Sequence, residues 1–308
     1  MGKIAFVFAG QGAQYAGMGQ SLYEASPAAK RILDEAERLK PGTLELCFSG
    51  TREQLSRTLD TQPCLTAVDM VCAAALTEAG VTADGAAGFS LGEIPALAAC
   101  GMLSFQLAFL LAVERARLMQ ACAEKTPGGM AAVLKLDDGE VEALCRAQGA
   151  YAVNYNCPGQ VACALPADKM SAFLEAVRAA GGRALPLAVG GGFHSPLMRE
   201  AARGLRAYAE TLSFARPRVP LYANATCRPY TAGDAAELLG RQVESPVRWT
   251  KLIRAMQADG FTDFIEVGAG RTLSGLITKI GGARLVARVE DAQTLAETVR
   301  LMKGETVC

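Results

Sequence analysis

The sequence has little of what marks several common classes of protein. It contains a single histidine, His194, so any chemistry that needs an imidazole has one candidate. Its ten cysteines include no CxxC pair, the spacing typical of zinc sites and redox-active disulfides. We therefore interpret them as small apolar residues that stay reduced, at positions 47, 64, 72, 100, 122, 145, 157, 163, 227 and 308.

Net charge is also absent, because 31 Lys and Arg balance 31 Asp and Glu. This balance excludes a bulk field that would draw the protein to nucleic acid or to an anionic membrane, and we expect neither partner. The apolar run at the start of the sequence ends at a glycine loop rather than at a small-residue cleavage site. No apolar stretch is long enough to span a bilayer. These absences predict a soluble, cytoplasmic protein.

What the sequence does contain is an alternation of strand and helix patterns, and 51% of its residues are hydrophobic. That fraction permits a large buried core. We predict strands at 3–8, 84–89, 219–225, 264–268 and 284–289, and helices at 20–38, 65–79, 105–123, 196–212, 249–257 and 272–280. Strands that alternate with helices favour a parallel sheet covered on both faces.

Residues 125–191 follow a different pattern. Strands are predicted at 130–136, 150–156, 160–166 and 183–189, and helices at 139–148 and 167–181. This βαββαβ order is typical of a ferredoxin-like unit. The predicted fold class is therefore α/β: a large α/β-hydrolase-like domain with a mostly parallel sheet, formed by residues 1–124 and 192–308, and a small inserted ferredoxin-like domain, residues 125–191.

Residues 88–92 read GFSLG, a G-x-S-x-G pattern between a predicted strand and a predicted helix. In a nucleophile elbow the glycines permit a sharp turn, and the helix N-terminus favours negative charge that develops at the serine. The same residues also fit an ordinary glycine-rich turn, although the strand before and the helix after favour the elbow. A nucleophilic Ser90 needs a base, for which His194 is the one imidazole available.

Arg115 lies in the middle of an apolar stripe on the helix predicted at 105–123. A buried guanidinium without a partner is costly, so Arg115 should face a carboxylate. Two alternatives remain open: an internal Asp or Glu, or the carboxylate of a substrate held by two hydrogen bonds. Glu114 and Arg117 lie on another face of this helix and are spaced to pair with each other.

The loop at residues 9–12, AGQG, also follows a predicted strand. Tyr15 stands where a dinucleotide-binding fingerprint requires glycine, and no P-loop lysine is present, so we discount a nucleotide site. A loop of this kind could instead present a backbone N–H toward Ser90. Together with the N–H of Leu91 it would form an oxyanion hole.

Eight blocks, in order along nearly the whole chain, resemble the malonyl-CoA:acyl carrier protein transacylase family. They are FVFAGQGAQYAGMG (6–19), TQPCLTAV (61–68), GFSLGE (88–93), RARLMQ (115–120), NYNCPGQV (154–161), FHSPLM (193–198), RQVESPVRWT (241–250) and EVGAGRTLSGL (266–276). The resemblance implies ping-pong transfer of a malonyl group from malonyl-CoA to the phosphopantetheine thiol of acyl carrier protein, through a malonyl-serine, in fatty-acid biosynthesis.

The resemblance also implies roles for single residues. Ser90 would be the nucleophile and His194 the general base, with the imidazole oriented by the backbone carbonyl of Gln242. The backbone N–H groups of Gln11 and Leu91 would hold the oxyanion. These enzymes resemble a serine dyad more than a full triad, and no cofactor is expected beyond the thioester substrate.

For the substrate, the resemblance implies that Arg115 binds the free carboxylate of malonate and that Gln62 and Phe193 belong to the binding site. The bulky ring of Phe193 resembles the malonyl-selecting type, which leaves no room for an α-methyl group. We expect a monomer with a basic rim that docks the acidic carrier protein, with Lys251, Arg254, Lys279 and Arg199 as candidates.

Three features depart from the family pattern. Phe89 stands where the family usually has His or Leu before the serine, so an auxiliary role there is absent or replaced by packing. Pro95 lies near the end of the first turn of the elbow helix, which predicts an irregular helix start. Residues 190–192 are all glycine, which predicts a flexible approach to His194.

Other functions remain as alternatives. An acyltransferase that serves a polyketide assembly line would use the same chemistry with a different carrier. A serine hydrolase acting on carrier-bound thioesters is disfavoured by Arg115, because hydrolysis of simple acyl groups has no use for a buried cation. A carrier-binding module without catalysis is disfavoured because Ser90, His194, Arg115 and the glycine loop are present together.

Overall fold

Two separate sheets organise residues 2–304, the part of the chain that the computed structural model describes. The strands are β1 Lys3–Phe8, β2 Gly85–Gly88, β3 Gly128–Leu134, β4 Tyr151–Cys157, β5 Gln160–Pro166, β6 Arg183–Pro186, β7 Leu221–Tyr222, β8 Phe261–Val267 and β9 Leu285–Val289. The helices are α1 Gln20–Ala25, α2 Pro27–Leu39, α3 Thr43–Ser49, α4 Arg52–Ser56, α5 Thr58–Glu78, α6 Glu93–Ala99, α7 Phe105–Lys125, α8 Asp138–Gln148, α9 Met170–Ala179, α10 Arg199–Ala209, α11 Ala235–Glu244, α12 Trp249–Ala258, α13 Thr272–Ile280 and α14 Ala292–Met302. The α/β fold class is confirmed.

The five-stranded sheet has the order β7-β2-β1-β8-β9, and each neighbouring pair is parallel. Phe8 at the end of β1 lies opposite both Gly88 of β2 and Val267 of β8. The loops that follow these three strands therefore leave the sheet at the same edge. In parallel α/β sheets this carboxyl edge is where ligands bind, and here it is where the glycine loop meets the serine turn.

The four-stranded sheet is antiparallel, in the order β4-β5-β3-β6, and α8 and α9 cover one of its faces. Side chains alternate along its strands: Val133 and Val161 pack with Phe173 of α9, whereas Ala132 and Ala162 point to the other face and line a cleft. This is the predicted ferredoxin-like pattern. The proposed domain boundaries at 124/125 and 191/192 stay a prediction.

Several elements differ from the sequence-based expectation. The helix predicted at 20–38 is broken at Ser26, whose backbone is extended and whose Oγ accepts the N–H of Ala29 as the cap of α2. Pro27 occupies the first turn of α2, where its missing N–H costs nothing. The helix predicted from 65 starts at Thr58 and carries Pro63 inside it. Apolar periodicity alone detects neither feature.

The strand predicted at 219–225 was too long. Only Leu221 and Tyr222 pair with β2, and the chain then turns where the N–H of Cys227 donates to the carbonyl of Ala223 (2.8 Å). The helix predicted at 196–212 begins as a 3-10 turn, and α10 ends at Ala209. Four helices were not predicted, namely α3, α4, α11 and α14.

The cysteines behave as the composition predicts. Nine of them lie within the described residues, and all nine are free thiols in buried positions. Cys145 and Cys163 are neighbours, with their sulfur atoms 3.5 Å apart. Cys308 lies outside the described residues. Within 2–304 no helix combines the length and the apolar character that crossing a membrane requires.

Candidate active site

Ser90 sits at the tip of the turn between β2 and α6, with a backbone φ of 55° that non-glycine residues rarely adopt. The turn is so tight that a Cβ on Gly88 would lie 1.9 Å from the carbonyl carbon of Gly92. A Cβ on Gly92 would lie 2.2 Å from the carbonyl oxygen of Phe8. The strand, sharp turn and helix predicted around the serine are present. A 3-10 turn precedes α6, which confirms the irregular start predicted from Pro95.

His194 faces this serine across 104 positions of sequence. Its Nε2 lies 2.7 Å from Ser90 Oγ, and its Nδ1 lies 2.9 Å from the backbone oxygen of Gln242. Because a carbonyl oxygen only accepts, Nδ1 must carry the proton of a neutral ring. The lone pair of Nε2 is then free to accept the hydrogen bond that the Ser90 hydroxyl donates.

Two features keep the imidazole in this state. Burial, and after it the positive charge of Arg115, lowers the pKa of His194 to about 4, so the ring is neutral near pH 7. The backbone N–H of His194 donates to the carbonyl of Val243 (3.1 Å), which fixes the residue at a positive φ of 61°. A neutral, oriented imidazole is what a general base requires.

Arg115 completes the group, at 1% exposure. Its Nη2 donates to Ser90 Oγ (3.1 Å) and to the side-chain Oε1 of Gln242 (3.0 Å). No carboxylate among residues 2–304 forms a direct ion pair with it, although the charge of the buried Glu93 acts on it without direct contact. Burial lowers the pKa of Arg115 to about 10, which leaves it charged. Arg115 is therefore a buried cation beside the serine that has no direct ion-pair partner within residues 2–304.

Sequence analysis missed three residues that hold the serine turn. Asn224 Oδ1 accepts the N–H of Ser90 (2.8 Å), and its Nδ2 donates to the carbonyl of Gly88 (2.6 Å). Glu93 is fully buried and accepts from the backbone N–H of Asn224 and from the hydroxyl of Tyr230 (3.1 Å). The one signal for Glu93 is a carboxylate in the otherwise apolar stretch GEIPALAA, where it resembles an ordinary acidic residue of a first helical turn.

The glycine loop packs directly against the serine turn, since a Cβ on Gly10 would lie 2.5 Å from the carbonyl oxygen of Phe89. Gln11 is held by its side chain, whose Oε1 accepts from Gln62 Nε2 (3.2 Å). Within residues 2–304 the backbone N–H of Gln11 donates to no acceptor. Leu91 follows the serine on the 3-10 turn. The oxyanion roles of these two N–H groups stay predictions.

The remaining predicted features concern packing. Phe89 packs edge-on against Trp249, with ring centroids 5.4 Å apart, so packing takes the place of a polar side chain there. Phe193 is 5% exposed and belongs to the main core. The expected flexibility of the glycine run stays a prediction, although two of its three residues are closely packed. Gly191 and Gly192 are buried, and a Cβ on either would approach neighbouring side chains within 2.8 Å.

A cleft between the two sheets leads away from the serine turn. On one side it is lined by the glycine loop, Phe89 and the start of α13, and on the other by strands β3, β4 and β5. The polar side chains on the strand side are Asn154, Asn156 and Gln160. The Oδ1 atoms of Asn154 and Asn156 are buried and accept no hydrogen bond from residues 2–304. The cleft therefore offers two hydrogen-bond acceptors to a ligand that carries donors.

A serine on a strained strand-to-helix turn, paired with a buried neutral imidazole, is the arrangement typical of enzymes that use serine as a nucleophile. The chain belongs to the acyl transferase domain family, which matches residues 5–298. Among its relatives is the malonyl CoA-acyl carrier protein transacylase of Bacillus subtilis (strain 168), which is 37% identical over 316 residues and covers 99% of each chain.

Solved structures agree with this assignment. The malonyl CoA-acyl carrier protein transacylase from Clostridium perfringens superposes with a TM-score of 0.93 at 31% identity, over 98% of both chains. A malonyl-transacylase in complex with the holo acyl-carrier protein of a type II PKS gives 0.93 at 33% identity, over 97% of this chain and 99% of that one. The resemblance seen in the eight sequence blocks is confirmed.

Proposed function

We propose that this chain transfers a malonyl group from malonyl-CoA to the phosphopantetheine thiol of acyl carrier protein, through an ester on Ser90. One observation carries the proposal: Ser90 Oγ lies 2.7 Å from the neutral Nε2 of His194 and 3.1 Å from the guanidinium of Arg115. The nucleophilic oxygen of Ser90 thus contacts both the base and a cation that could bind the carboxylate of the acyl group.

In the first step His194 Nε2 takes the hydroxyl proton while Ser90 Oγ attacks the thioester carbonyl carbon. The developing oxyanion would receive hydrogen bonds from the backbone N–H groups of Gln11 and Leu91. Collapse breaks the C–S bond, and the imidazolium returns its proton to the departing coenzyme A sulfur. The carbonyl of Gln242, which accepts from Nδ1, stabilises the imidazolium in between.

The second step reverses these roles. The pantetheine thiol gives its proton to His194, and its sulfur attacks the malonyl ester on Ser90. The C–O bond breaks, and the proton passes from the imidazolium to Ser90 Oγ. The donor and the product are thioesters of similar energy, so hydrolysis of the ester on Ser90 would waste the acyl group. Burial of His194, at 3% exposure, limits the access of water to the base.

Arg115 would supply the selectivity. A malonyl carboxylate would pair with the buried guanidinium, whereas an acetyl group would leave the cation without an anion. The same cation disfavours a hydrolase of simple acyl groups. We propose that the enzyme acts in the cytoplasm as a monomer and without a cofactor, because acyl exchange between sulfur and oxygen requires none.

The carrier is proposed to be that of fatty-acid synthesis. A polyketide carrier is the second candidate, since the chain is similar to a transacylase that forms a complex with a type II PKS carrier. The docking rim would be formed by Lys251 and Arg254 of α12 and Lys279 of α13, which are exposed. Arg199 is a weaker member, because its Nε lies 3.7 Å from a carboxylate oxygen of Glu244.

Incubation with malonyl-CoA in the absence of carrier protein tests the proposal by intact-mass measurement. We expect one malonyl group to be added and coenzyme A to be released once per protein, and we expect no adduct on Ser90→Ala. Continuous release of coenzyme A without carrier would indicate a hydrolase. Absence of any adduct on the unaltered chain would favour a carrier-binding module.

A further inference from the structure

The side chain of Gln242 bridges two buried charges of opposite sign. Its Oε1 accepts from Arg115 Nη2 (3.0 Å), and its Nε2 donates to a carboxylate oxygen of Glu93 and to the backbone oxygen of Ser90 (2.6 Å). The amide is 1% exposed, so water does not compete for either end. The buried negative charge that balances Arg115 therefore lies one residue away, behind an amide.

A primary amide has nearly the same shape when its oxygen and nitrogen exchange places, so packing hardly distinguishes the two orientations. Hydrogen bonding does distinguish them, because an ionised carboxylate only accepts and a guanidinium only donates. With Glu93 ionised, the amide N–H must point to Glu93 and the oxygen to Arg115. The flipped amide would place two donors together at Arg115 and two acceptors together at Glu93.

We infer that Glu93 is a positioning residue, which fixes the orientation of the Gln242 amide and through it keeps Arg115 Nη2 directed at Ser90 Oγ. Glu93 is fully buried behind Gln242, so it acts through another side chain rather than on substrate. The part of this inference that concerns malonyl transfer rests on the proposed function. The bridge from Glu93 through Gln242 to Arg115 is seen in the structure and is independent of that function.

The surroundings of Glu93 connect this role to pH. The titratable and charged groups that face it are Arg115 from α7 and, from the segment after β7, Tyr230 and Cys227. Burial raises the pKa of Glu93 to about 7, although hydrogen bonds from Asn224, Gln242 and Tyr230 oppose the shift. Below that pH the carboxyl is neutral and no longer fixes the amide, so reaction at Ser90 should decline as the pH falls through 7.

His194 gives a contrasting expectation. Because the pKa of its imidazole is lowered to about 4, a site limited by the base alone would lose activity only in strongly acidic buffer. The position of the acid limb therefore separates control by Glu93 from control by His194. This difference spans about three pH units, which is well within what a rate profile resolves.

The experiment measures two rates between about pH 3.5 and 9 on the full chain: acylation of Ser90 by malonyl-CoA, and labelling of Ser90 by a fluorophosphonate. For the unaltered chain we expect an acid limb near pH 7 in both. Glu93→Gln should lower malonyl kcat/KM about tenfold at pH 8, mainly through KM, and should remove the limb near 7. Only the lower limb set by His194 should remain.

Tyr230→Phe is the second variant, and it keeps the carboxylate. It removes one hydrogen bond to ionised Glu93, so the limb should move upward by about one pH unit, the direction opposite to Glu93→Gln. A role confined to folding would move neither limb. Profiles of both variants that coincide with the unaltered profile would overturn the inference. An unaltered chain that accepts the fluorophosphonate but not malonyl-CoA would instead overturn the proposed function, and the labelling profiles would still test Glu93.

Discussion

The two sheet regions differ most clearly in what they bury. The region of the parallel sheet buries Arg115, His194, Glu93, Asp69 and Glu266, each at 3% exposure or less. Residues 128–186, all of which are described, bury no Asp, Glu, Lys, Arg or His, and their core consists of aliphatic, cysteine and phenylalanine side chains. Burial of charge is costly, so its confinement to one region shows where the chain accepts lower stability for chemistry.

The free-energy cost of burying charge is clearest for acidic groups that have no cation or hydrogen-bond donor beside them. Burial, together with the charge of Glu266, raises the pKa of Asp69 well above its usual range, and neither of its carboxylate oxygens has a hydrogen-bond partner within residues 2–304. Asp69 packs against Gly268, beside the glycine loop, where a Cβ on the glycine would meet its Oδ1 at 1.8 Å. The small sheet, by contrast, contributes one wall of the cleft and ordinary apolar packing.

The largest effect that would sharpen this comparison is expected from Arg115→Ala. Loss of the guanidinium leaves a malonyl carboxylate buried without a partner, which costs about 4 kcal/mol. We expect kcat/KM for malonyl-CoA to fall about a thousandfold while acetyl transfer falls much less. Steady-state assays with the two donors measure the ratio directly.

Arg117→Ala is the matched control for that experiment. Arg117 lies two residues further along α7, is exposed, and pairs with Glu114 at 2.7 Å as the spacing predicts. Its loss should change neither donor's rate, because an exposed ion pair contributes little. Equal losses for malonyl and acetyl transfer in Arg115→Ala would contradict the assignment of Arg115 to the carboxylate.

The next effect tests whether the small sheet is only a support. Leu165 of β5 is fully buried between the sheet and α9, and Leu165→Ala should lower the free energy of unfolding by about 3 kcal/mol. We expect kcat and KM at 25 °C to remain unchanged, since its side chain points away from the cleft. Urea denaturation and steady-state kinetics on the same sample provide both values.

Leu185→Ala, on the neighbouring part of the same sheet, serves as the control. Leu185 is 40% exposed, so its truncation should cost less than about 0.5 kcal/mol. A drop in kcat for Leu165→Ala at a temperature where the protein stays folded would break the comparison. It would show that packing behind the cleft wall controls the geometry at Ser90.

Sequence patterns could locate the two side chains proposed to react but not the residues that hold them in place, for a physical reason. Ser90 and His194 are identifiable because a glycine pattern and a unique residue type each stand out locally. Asn224 and Tyr230 act on the serine turn from more than 130 positions away, and they reach it only because β7 pairs with β2. β7 has two residues, too few for a period-two pattern to predict its ends.

Arg115 illustrates a second limit. Its apolar stripe predicts burial, and burial predicts a partner, but no local pattern tells an internal carboxylate from a substrate's. In the structure the acceptor that Arg115 meets is the amide oxygen of Gln242, on a helix that sequence analysis did not predict, and the carboxylate of Glu93 lies on the other side of that amide. Sequence patterns can predict that a buried charge needs a partner. They cannot predict a bridge of three residues from distant parts of the chain, because only the fold brings those residues together.

The smallest effect concerns the face where the two regions meet. Thr250 of α12 donates to the backbone of Tyr155 in β4 (3.2 Å), so the exposed cations of α12 and α13 stand beside the small sheet at the cleft. Lys279→Glu should raise KM for an acidic carrier protein about threefold and leave acylation by malonyl-CoA unchanged. The effect should fade at high salt, because exposed charges are screened.

Arg178→Glu makes the same charge change on α9, which covers the face of the small sheet that points away from the cleft. If docking depends on the local patch, carrier KM in this variant should equal that of the unaltered chain. An equal rise in both variants would mean that net charge alone attracts the carrier. The boundary between the regions would then have no special part in recognition, and the contrast between a reactive region and a passive one would not extend to the docking surface.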